Sequence, residues 1–193
     1  MRHDDFFVDK LELASVELMI VDLADAQFVD GCGSGRVAAD CYRAPEVTLG
    51  LPWSYGVDLF AAGCVMAELH LGRGLFPRTQ TDLERLAILE RVLGNFPLSF
   101  AKRGESARPG TFAFGKPVKV RYRPSIEDVE AALNLVRATP LSGLIFDGEY
   151  FELCSWLMQH EPQRRRDVHE AFTLSFLLHD DEDLLLVPPS PPL

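Results

Sequence analysis

The spacing of apolar and polar residues changes once along the chain, close to Asp40. Before that point, short apolar runs rich in β-branched and aromatic residues predict three strands, at 6–8, 16–21 and 26–29. Three glycines within 31–35 then predict a loop, because so flexible a stretch holds neither a strand nor a helix. After Asp40 the spacing is helical. We therefore expect a small N-terminal β-ribbon over residues 5–29 followed by a mainly α-helical body.

The segment Val57–Leu71 is apolar nearly all the way round, which predicts a helix buried on every side at the centre of a bundle. Apolar periodicity and end signals predict further helices. They are expected from Thr81 or Asp82 to Leu93, and over 126–137, 150–160 and 167–176. Residues 98–125 carry Gly, Pro, Arg and Lys with little periodicity, and this predicts an irregular insert.

Charge and cysteine content narrow the function classes. Nineteen Lys and Arg against 29 Asp and Glu give a formal charge of −10, which argues against direct binding of nucleic acid or anionic membranes. The longest apolar stretch, 59–69, is shorter than the ~20 residues of a membrane helix. The four cysteines form no C-x-x-C pair, so a zinc site is not expected. Reduced thiols in the nucleus or cytoplasm fit this pattern.

Four motifs follow one another along the chain. They are Tyr42–Glu46 (Tyr-Arg-Ala-Pro-Glu), Asp58 at the head of the apolar helix, the acidic and leucine-rich helix 82–94, and Glu161–Arg165 (Glu-Pro-Gln-Arg-Arg). The first resembles the signature that closes the activation segment of protein kinases, in the form used by the CMGC group. The last is similar to the D-P-x-x-R motif near the end of the kinase fold.

Helix 82–94 is similar to the E-H-L-A-M-M-E-R-I-L-G helix of the LAMMER (CDC-like) kinases. The matching residues are Glu84, Leu86, Ala87, Glu90, Arg91, Leu93 and Gly94, whereas Arg85 replaces the histidine of the family. Because the motifs occur in the family order, the chain resembles the C-terminal lobe of a CMGC protein kinase, closest to the LAMMER branch, from about Asp5 to Phe176.

The resemblance implies a metal site at Asp22 and Asp5. Asp22 stands where the family has its D-F-G aspartate and would hold the Mg²⁺ that bridges the phosphates of ATP, so it is also the expected cofactor-binding residue. Leu23 and Ala24 replace the Phe and Gly of that motif. Asp5 aligns with the asparagine that binds a second Mg²⁺ in the family.

The resemblance also implies structural roles around the activation segment. Glu46 and Arg165 would form a buried ion pair, and Arg43 would shape the pocket that follows the phosphoacceptor. Two interpretations of Asp58 stay open: a family contact to the backbone of the catalytic loop, or a helix N-terminal carboxylate favoured by the dipole.

Two positions depart from the family pattern in a way that bears on substrate recognition. Ala39 replaces a threonine that contacts catalytic residues, and Asp40 replaces an arginine. The kinase template further needs a glycine-rich loop, a strand lysine, a helix glutamate and the H-R-D aspartate. None of these appears in the sequence, so no catalytic residue is assigned and the N-lobe is expected to be absent.

We therefore predict a mainly α fold, a kinase-like C-terminal lobe in which a helical bundle surrounds one buried helix. Residues 1–179 would form a partial kinase domain with an insert at about 98–140, and 180–193 an acidic, proline-rich tail. In the family a helix before the catalytic loop partly covers the central helix. Without it, two exposed Leu- or Phe-sized side chains would forgo roughly 3–6 kcal/mol of burial.

The predicted function is that of a truncated serine/threonine kinase domain. The family uses Mg²⁺ and ATP to phosphorylate Ser and Thr on proteins, but the missing parts predict an inactive chain and put ATP binding by it in doubt. The alternative is a non-catalytic, pseudokinase-like interaction module. Expected partners are a protein substrate or docking partner, or an oligomer that covers the surface of the missing lobe, in the nucleus or cytoplasm.

Overall fold

The computed structural model describes residues 19–21, 23–28, 32–125 and 127–165. Six α-helices and one two-stranded antiparallel sheet lie within these residues. They are α1 (Pro45–Thr48), α2 (Gly56–Leu71), α3 (Asp82–Leu93), α4 (Leu98–Ala107), α5 (Val129–Arg137) and α6 (Gly148–Leu157), with β1 (Phe112–Ala113) paired to β2 (Lys119–Val120). The fold is mainly α, as predicted. No helix in the described part of the chain is long and apolar enough to span a membrane.

Helix α2 lies against α6, and the contact depends on Gly63. A Cβ at this position would come within 2.7 Å of Cγ of Met158 and 2.9 Å of Cβ of Leu157, closer than side-chain atoms normally approach. The missing side chain therefore lets the two helices pack directly. At the other end, Gly72 stops α2 with a left-handed φ of 65°, and its N–H donates to the carbonyl of Glu68 at 2.8 Å.

One face of α2 is exposed, so the prediction of burial on every side is wrong. Asp58, Ala62, Val65 and Leu69 follow one another at helical spacing and all face solvent. Val65 is 45% exposed and Leu69 is 75% exposed. All-round apolar composition does not say which neighbours are present to cover each face. The resemblance to the kinase family led us to expect two exposed Leu- or Phe-sized side chains on this helix. Leu69 fits that expectation, whereas Val65 is exposed but smaller.

Helix α3 begins with a side-chain cap, which confirms Thr81 as the capping residue. The N–H of Glu84 donates to Oγ1 of Thr81 at 3.1 Å, and the N–H of Gln80 donates to Oε2 of Glu84 at 2.8 Å. The first bond satisfies a backbone donor that the helix itself leaves free, and the second fixes Gln80, the residue before the cap. The body of α3 buries Leu86, Ile88 and Leu89 in the main core.

The insert is more regular than the sequence predicted. Residues 98–107 form helix α4 and residues 112–120 contain the two strands, so the prediction of an irregular 98–125 is wrong. Gly104 obscured the helix, because a glycine inside a pattern normally indicates a break. Here a Cβ at Gly104 would lie 2.8 Å from Cδ1 of Leu49 and 2.9 Å from Cε2 of Phe112. The glycine therefore allows close packing of α4.

Helices α5 and α6 occur close to where they were predicted. Helix α5 begins after Asp128, whose Oδ1 accepts from the N–H of Ala131 at 3.0 Å, and α6 begins after Asp147, whose Oδ1 accepts from the N–H of Tyr150 at 3.0 Å. The predicted helix 167–176 and the tail at 180–193 lie outside the described residues, so the predicted domain division stays a prediction.

The predicted N-terminal β-ribbon is absent from residues 19–21 and 23–28, the part of 5–29 that the structure describes. Residues 19–21 and 26–28 contain no strand and are exposed, and residues 23–25 form a short 3₁₀ turn. A strand needs a neighbour for its backbone groups, and these residues pair with none of the described ones. The predicted strand at 6–8 and most of that at 16–21 lie outside the described residues.

The glycine-rich segment is anchored by Trp53, and Arg36 directly after it pairs with Asp82 at the start of α3. Gly33 and Trp53 exchange backbone hydrogen bonds of 2.7 and 3.1 Å, and Nε1 of Trp53 donates to the carbonyl of Gly35 at 3.0 Å. A Cβ on Gly33 would lie 2.5 Å from the Trp53 ring, so only glycine fits this crossing. The other residues of 32–35 form a loop, as predicted for 31–35.

Candidate functional site

A buried ion pair joins the start of α1 to the chain that follows α6. Nη1 of Arg165 lies 2.5 Å from Oε1 of Glu46, and Nη2 lies 2.7 Å from Oε2. Both side chains are almost fully buried, at 0% and 2% exposure. Parallel N–H···O bonds of this kind are the strongest geometry available to an arginine and a carboxylate. The structure therefore brings together the two residues that the sequence motifs suggested as partners.

Arg165 also binds three backbone carbonyls. Nη1 donates to Gly56 at 2.8 Å, Nε donates to Gln159 at 2.8 Å, and Nη2 donates to His160 at 3.5 Å. The guanidinium lies 5.1 Å from the ring of Phe60 in α2. One side chain thus ties α1, the start of α2 and the segment after α6 together.

A second charged group lies in the turn that precedes α1. Nη1 of Arg43 donates to Oδ1 of Asp40 at 3.0 Å, and Nη2 donates to the carbonyl of Ala38 at 3.2 Å. Oδ2 of Asp40 accepts from both the N–H and the hydroxyl of Thr79, each at 2.8 Å. Ala38 has a φ of 62°, a left-handed conformation that alanine rarely adopts.

Arg85 of α3 supports the same turn from inside the core. Its side chain is fully buried, and Nη2 donates to the carbonyls of Cys41 at 3.0 Å and Arg43 at 2.9 Å. The guanidinium lies 4.4 Å from the centre of the Phe76 ring. Burial lowers the pKa of Arg85 to about 10, so it still carries its charge at neutral pH.

A cavity of about 270 Å³ lies between the ends of α3 and α6 and is bordered by His160. Nε2 of His160 lies 2.8 Å from the carbonyl of Gly94, so this nitrogen carries the proton. Its Nδ1 is buried without a hydrogen-bond partner, and its ring lies 4.0 Å from that of Phe96. Burial lowers the pKa of His160 to about 4, and the imidazole is neutral at pH 7.

Comparison with known proteins shows which proteins this chain is similar to. No protein-family model matches the chain. The dual specificity protein kinase lkh1 of Schizosaccharomyces pombe is 33% identical over 165 residues, which cover 82% of this chain and 23% of that kinase. The serine/threonine-protein kinase AFC2 of Arabidopsis thaliana is 36% identical over 165 residues, 84% of this chain and 38% of the relative. The chain belongs with the LAMMER-type protein kinases.

The fold agrees with this assignment. A solved kinase domain superimposes with a TM-score of 0.72 at 24% identity, covering 82% of this chain and 46% of that structure. The described helices therefore correspond to part of a kinase fold, and the coverage of the relatives indicates its C-terminal lobe. The chain spans well under half the length of the LAMMER-type relatives that it matches.

The remaining predicted site residues lie apart from the ion pair or outside the described residues. Asp58 is exposed in the first turn of α2, where the helix dipole favours a carboxylate. Asp22 and Asp5 of the suggested Mg²⁺ site lie outside the described residues. Within the described part of this LAMMER-type chain, no group of three or more His, Cys, Asp or Glu side chains could hold a metal ion.

Two sets of contacts around the turn at 38–43 were not predicted from the sequence: those of Arg85 and those between Thr79 and Asp40. Arg85 was noted only as a substitution for the family histidine, yet it shares a helix face with the buried Ile88 and Leu89, and this spacing could have indicated its burial. The bonds from Thr79 to Asp40 join residues 39 positions apart, and no local pattern signals such a pairing.

We predict that Glu46→Gln strongly destabilises the chain. The substitution keeps the shape of the side chain but leaves the Arg165 guanidinium buried without its counter-charge, which should lower the free energy of unfolding by about 3–5 kcal/mol. Urea unfolding measures this loss. Glu130→Gln, on the exposed face of α5, is the matched control and should change stability by no more than about 0.5 kcal/mol. Equal stability of the two variants would contradict the central role of the pair.

We predict that His160 makes stability depend on pH. Its pKa is about 4 in the folded chain and about 6.5 when unfolded, so the unfolded state takes up a proton first as the pH falls. Stability should therefore decrease below pH 6.5, by about 2 kcal/mol between pH 7 and pH 5. In His160→Gln this part of the decrease should disappear, while the contribution of the carboxylates remains. Parallel urea unfolding curves for wild type and variant at both pH values test this.

Proposed function

We propose that this chain provides the C-terminal lobe of a LAMMER-type protein serine/threonine kinase, and that the 193 residues alone do not transfer phosphate. Support comes from the ion pair between Glu46 and Arg165, which links the Tyr-Arg-Ala-Pro-Glu and Glu-Pro-Gln-Arg-Arg motifs in three dimensions. Substrates would be Ser and Thr side chains of proteins, with Mg²⁺ and ATP as in the family. The nucleus or cytoplasm is the proposed location.

The proposed inactivity follows from how phosphoryl transfer works. Catalysis depends on positioning and on charge stabilisation by several groups at once, so part of the set contributes little. The sequence offers Asp22 and Asp5 for Mg²⁺, but no H-R-D aspartate to accept the proton of the substrate hydroxyl and no strand lysine for the phosphates. When bound, Mg²⁺–ATP would supply the transferable phosphoryl group.

A phosphotransfer assay on the purified chain tests this proposal. We expect no transfer of labelled γ-phosphate to a protein or peptide carrying Ser and Thr above the blank, and no shift of the melting temperature with Mg²⁺–ATP. Asp22→Ala is the control variant. Transfer by the wild-type chain that Asp22→Ala abolishes would show that the chain is an active kinase on its own.

A non-catalytic interaction role is the second candidate, because α2 leaves an apolar surface open. Val65 and Leu69 border a groove of about 410 Å³ together with Tyr42, Glu68 and Arg73. Exposed apolar patches of this kind commonly mark interaction sites. We propose that a second copy of this chain covers the groove. Each copy exposes Val65 and Leu69, so the two apolar faces could pack against each other and leave water together.

We predict that Leu69→Lys weakens this self-association. Sedimentation at increasing protein concentration should show the wild-type chain associating, and the lysine should weaken association at least about tenfold because its charge would be buried. Leu98→Lys, at an exposed leucine on α4, is the matched control and should associate like wild type. A wild-type chain that remains monomeric at high concentration would contradict this role.

A further inference from the structure

The turn at 38–43 and Thr79, which is hydrogen-bonded to it, together carry a set of groups that can bind an oxyanion. Arg43 supplies a guanidinium nitrogen, and Thr79 supplies a backbone N–H and a hydroxyl. All three donate to one carboxylate, that of Asp40, at 2.8–3.0 Å. A cationic group combined with N–H and O–H donors is also the arrangement that binds phosphate oxygens in proteins.

Backbone conformation shows that this contact holds the turn under constraint. Ala38 has a φ of 62°, which costs an L-residue energy and persists only where its surroundings enforce it. Its carbonyl accepts from Nη2 of Arg43 at 3.2 Å, while Nη1 of the same guanidinium binds Asp40. Fixing Arg43 through Asp40 therefore also fixes the strained residue.

The positive charge of Arg43 is balanced by the carboxylate of Asp40. The Arg43 side chain is about nine-tenths buried, so its guanidinium needs a partner, and the Asp40 carboxylate lies within the same turn. Arg85 approaches the turn from the core through the carbonyls of Cys41 and Arg43. The Asp40 carboxylate is thus held between Arg43 of the same turn and Thr79, which precedes α3.

We propose that Arg43 and Thr79 form an oxyanion site that is filled by the chain's own Asp40, so that the turn at 38–43 is ordered without phosphorylation. Kinase activation loops are commonly ordered when a phosphorylated side chain pairs with arginine. A carboxylate built into the sequence performs the same pairing permanently. Asp40 is then a positioning residue, and this proposal does not depend on whether the chain transfers phosphate.

Removing the carboxylate tests the first half of the proposal. In Asp40→Ala, measured in chloride buffer, amide hydrogen exchange at residues 38–43 and at Thr79 should become at least about tenfold faster, the factor expected from losing a charged hydrogen bond. The melting temperature should fall by roughly 5 °C. Exchange and melting equal to those of the wild-type chain would overturn the proposal.

Inorganic phosphate tests the second half, because a purely structural role would not respond to it. At constant ionic strength, phosphate should slow exchange at 38–43 and raise the melting temperature in Asp40→Ala. The wild-type chain, in which the site is filled, reports any general effect of the buffer. In Asp40→Ala combined with Arg43→Ala the response should be lost.

The remaining outcomes also decide the question. If Asp40→Ala is loosened but does not respond to phosphate, or if the double variant responds equally, the oxyanion site is refuted. Should Asp40→Ala fail to fold, Asp40→Asn is measured in the same way, since it keeps the shape and one acceptor oxygen but removes the charge. It should show faster exchange than wild type at the same residues, and wild-type exchange would overturn the proposal.

Discussion

The bidentate contact between Arg165 and Glu46 is the interaction on which the described structure depends. Its two residues lie 119 positions apart in sequence, and its guanidinium also binds the carbonyls of Gly56, Gln159 and His160. An arginine buried in this way must have its charge and its N–H groups satisfied. The pair therefore requires α1 and the segment after α6 to meet beside the start of α2, and this fixes where both can lie.

The turn before α1 is held by two further buried arginines, whose N–H groups are only partly paired: Nε of both and Nη1 of Arg85 have no hydrogen-bond partner among the described residues. Arg43 and Arg85 are both buried, and each is neutralised or hydrogen-bonded by groups of the 38–43 turn. The two arginines differ in their partners: Arg43 binds a carboxylate, whereas Arg85 binds carbonyls and lies over Phe76. The result is a turn, 3₁₀-helical at Asp40–Tyr42, that is held from the core side and from the Thr79 side.

Local signals in the sequence predicted much of the fold, because caps and helical spacing act over a few residues. Thr81 caps α3 as predicted, whereas the capping roles of Asp128 and Asp147 at α5 and α6 were not predicted. The partnership of Glu46 and Arg165 was implied only by the resemblance to the kinase family, since residues so far apart share no local pattern. Gly104 led to a wrong prediction because its role is a close contact with Leu49 and Phe112, and the neighbouring sequence does not indicate that contact. The open face of α2 likewise depends on which neighbours are present.

The glycine at the crossing of α2 and α6 has a consequence for the far end of the chain. Because Gly63 lets α6 rest directly on α2, the direction in which the chain leaves α6 is set by a rigid contact between helices rather than by a loop. Arg165 follows shortly after that exit and reaches back to the start of α2. The packing of α6 on α2 thus helps to set the position of Arg165 relative to Glu46. A side chain added at Gly63 would force the two helices apart and disturb that ion pair.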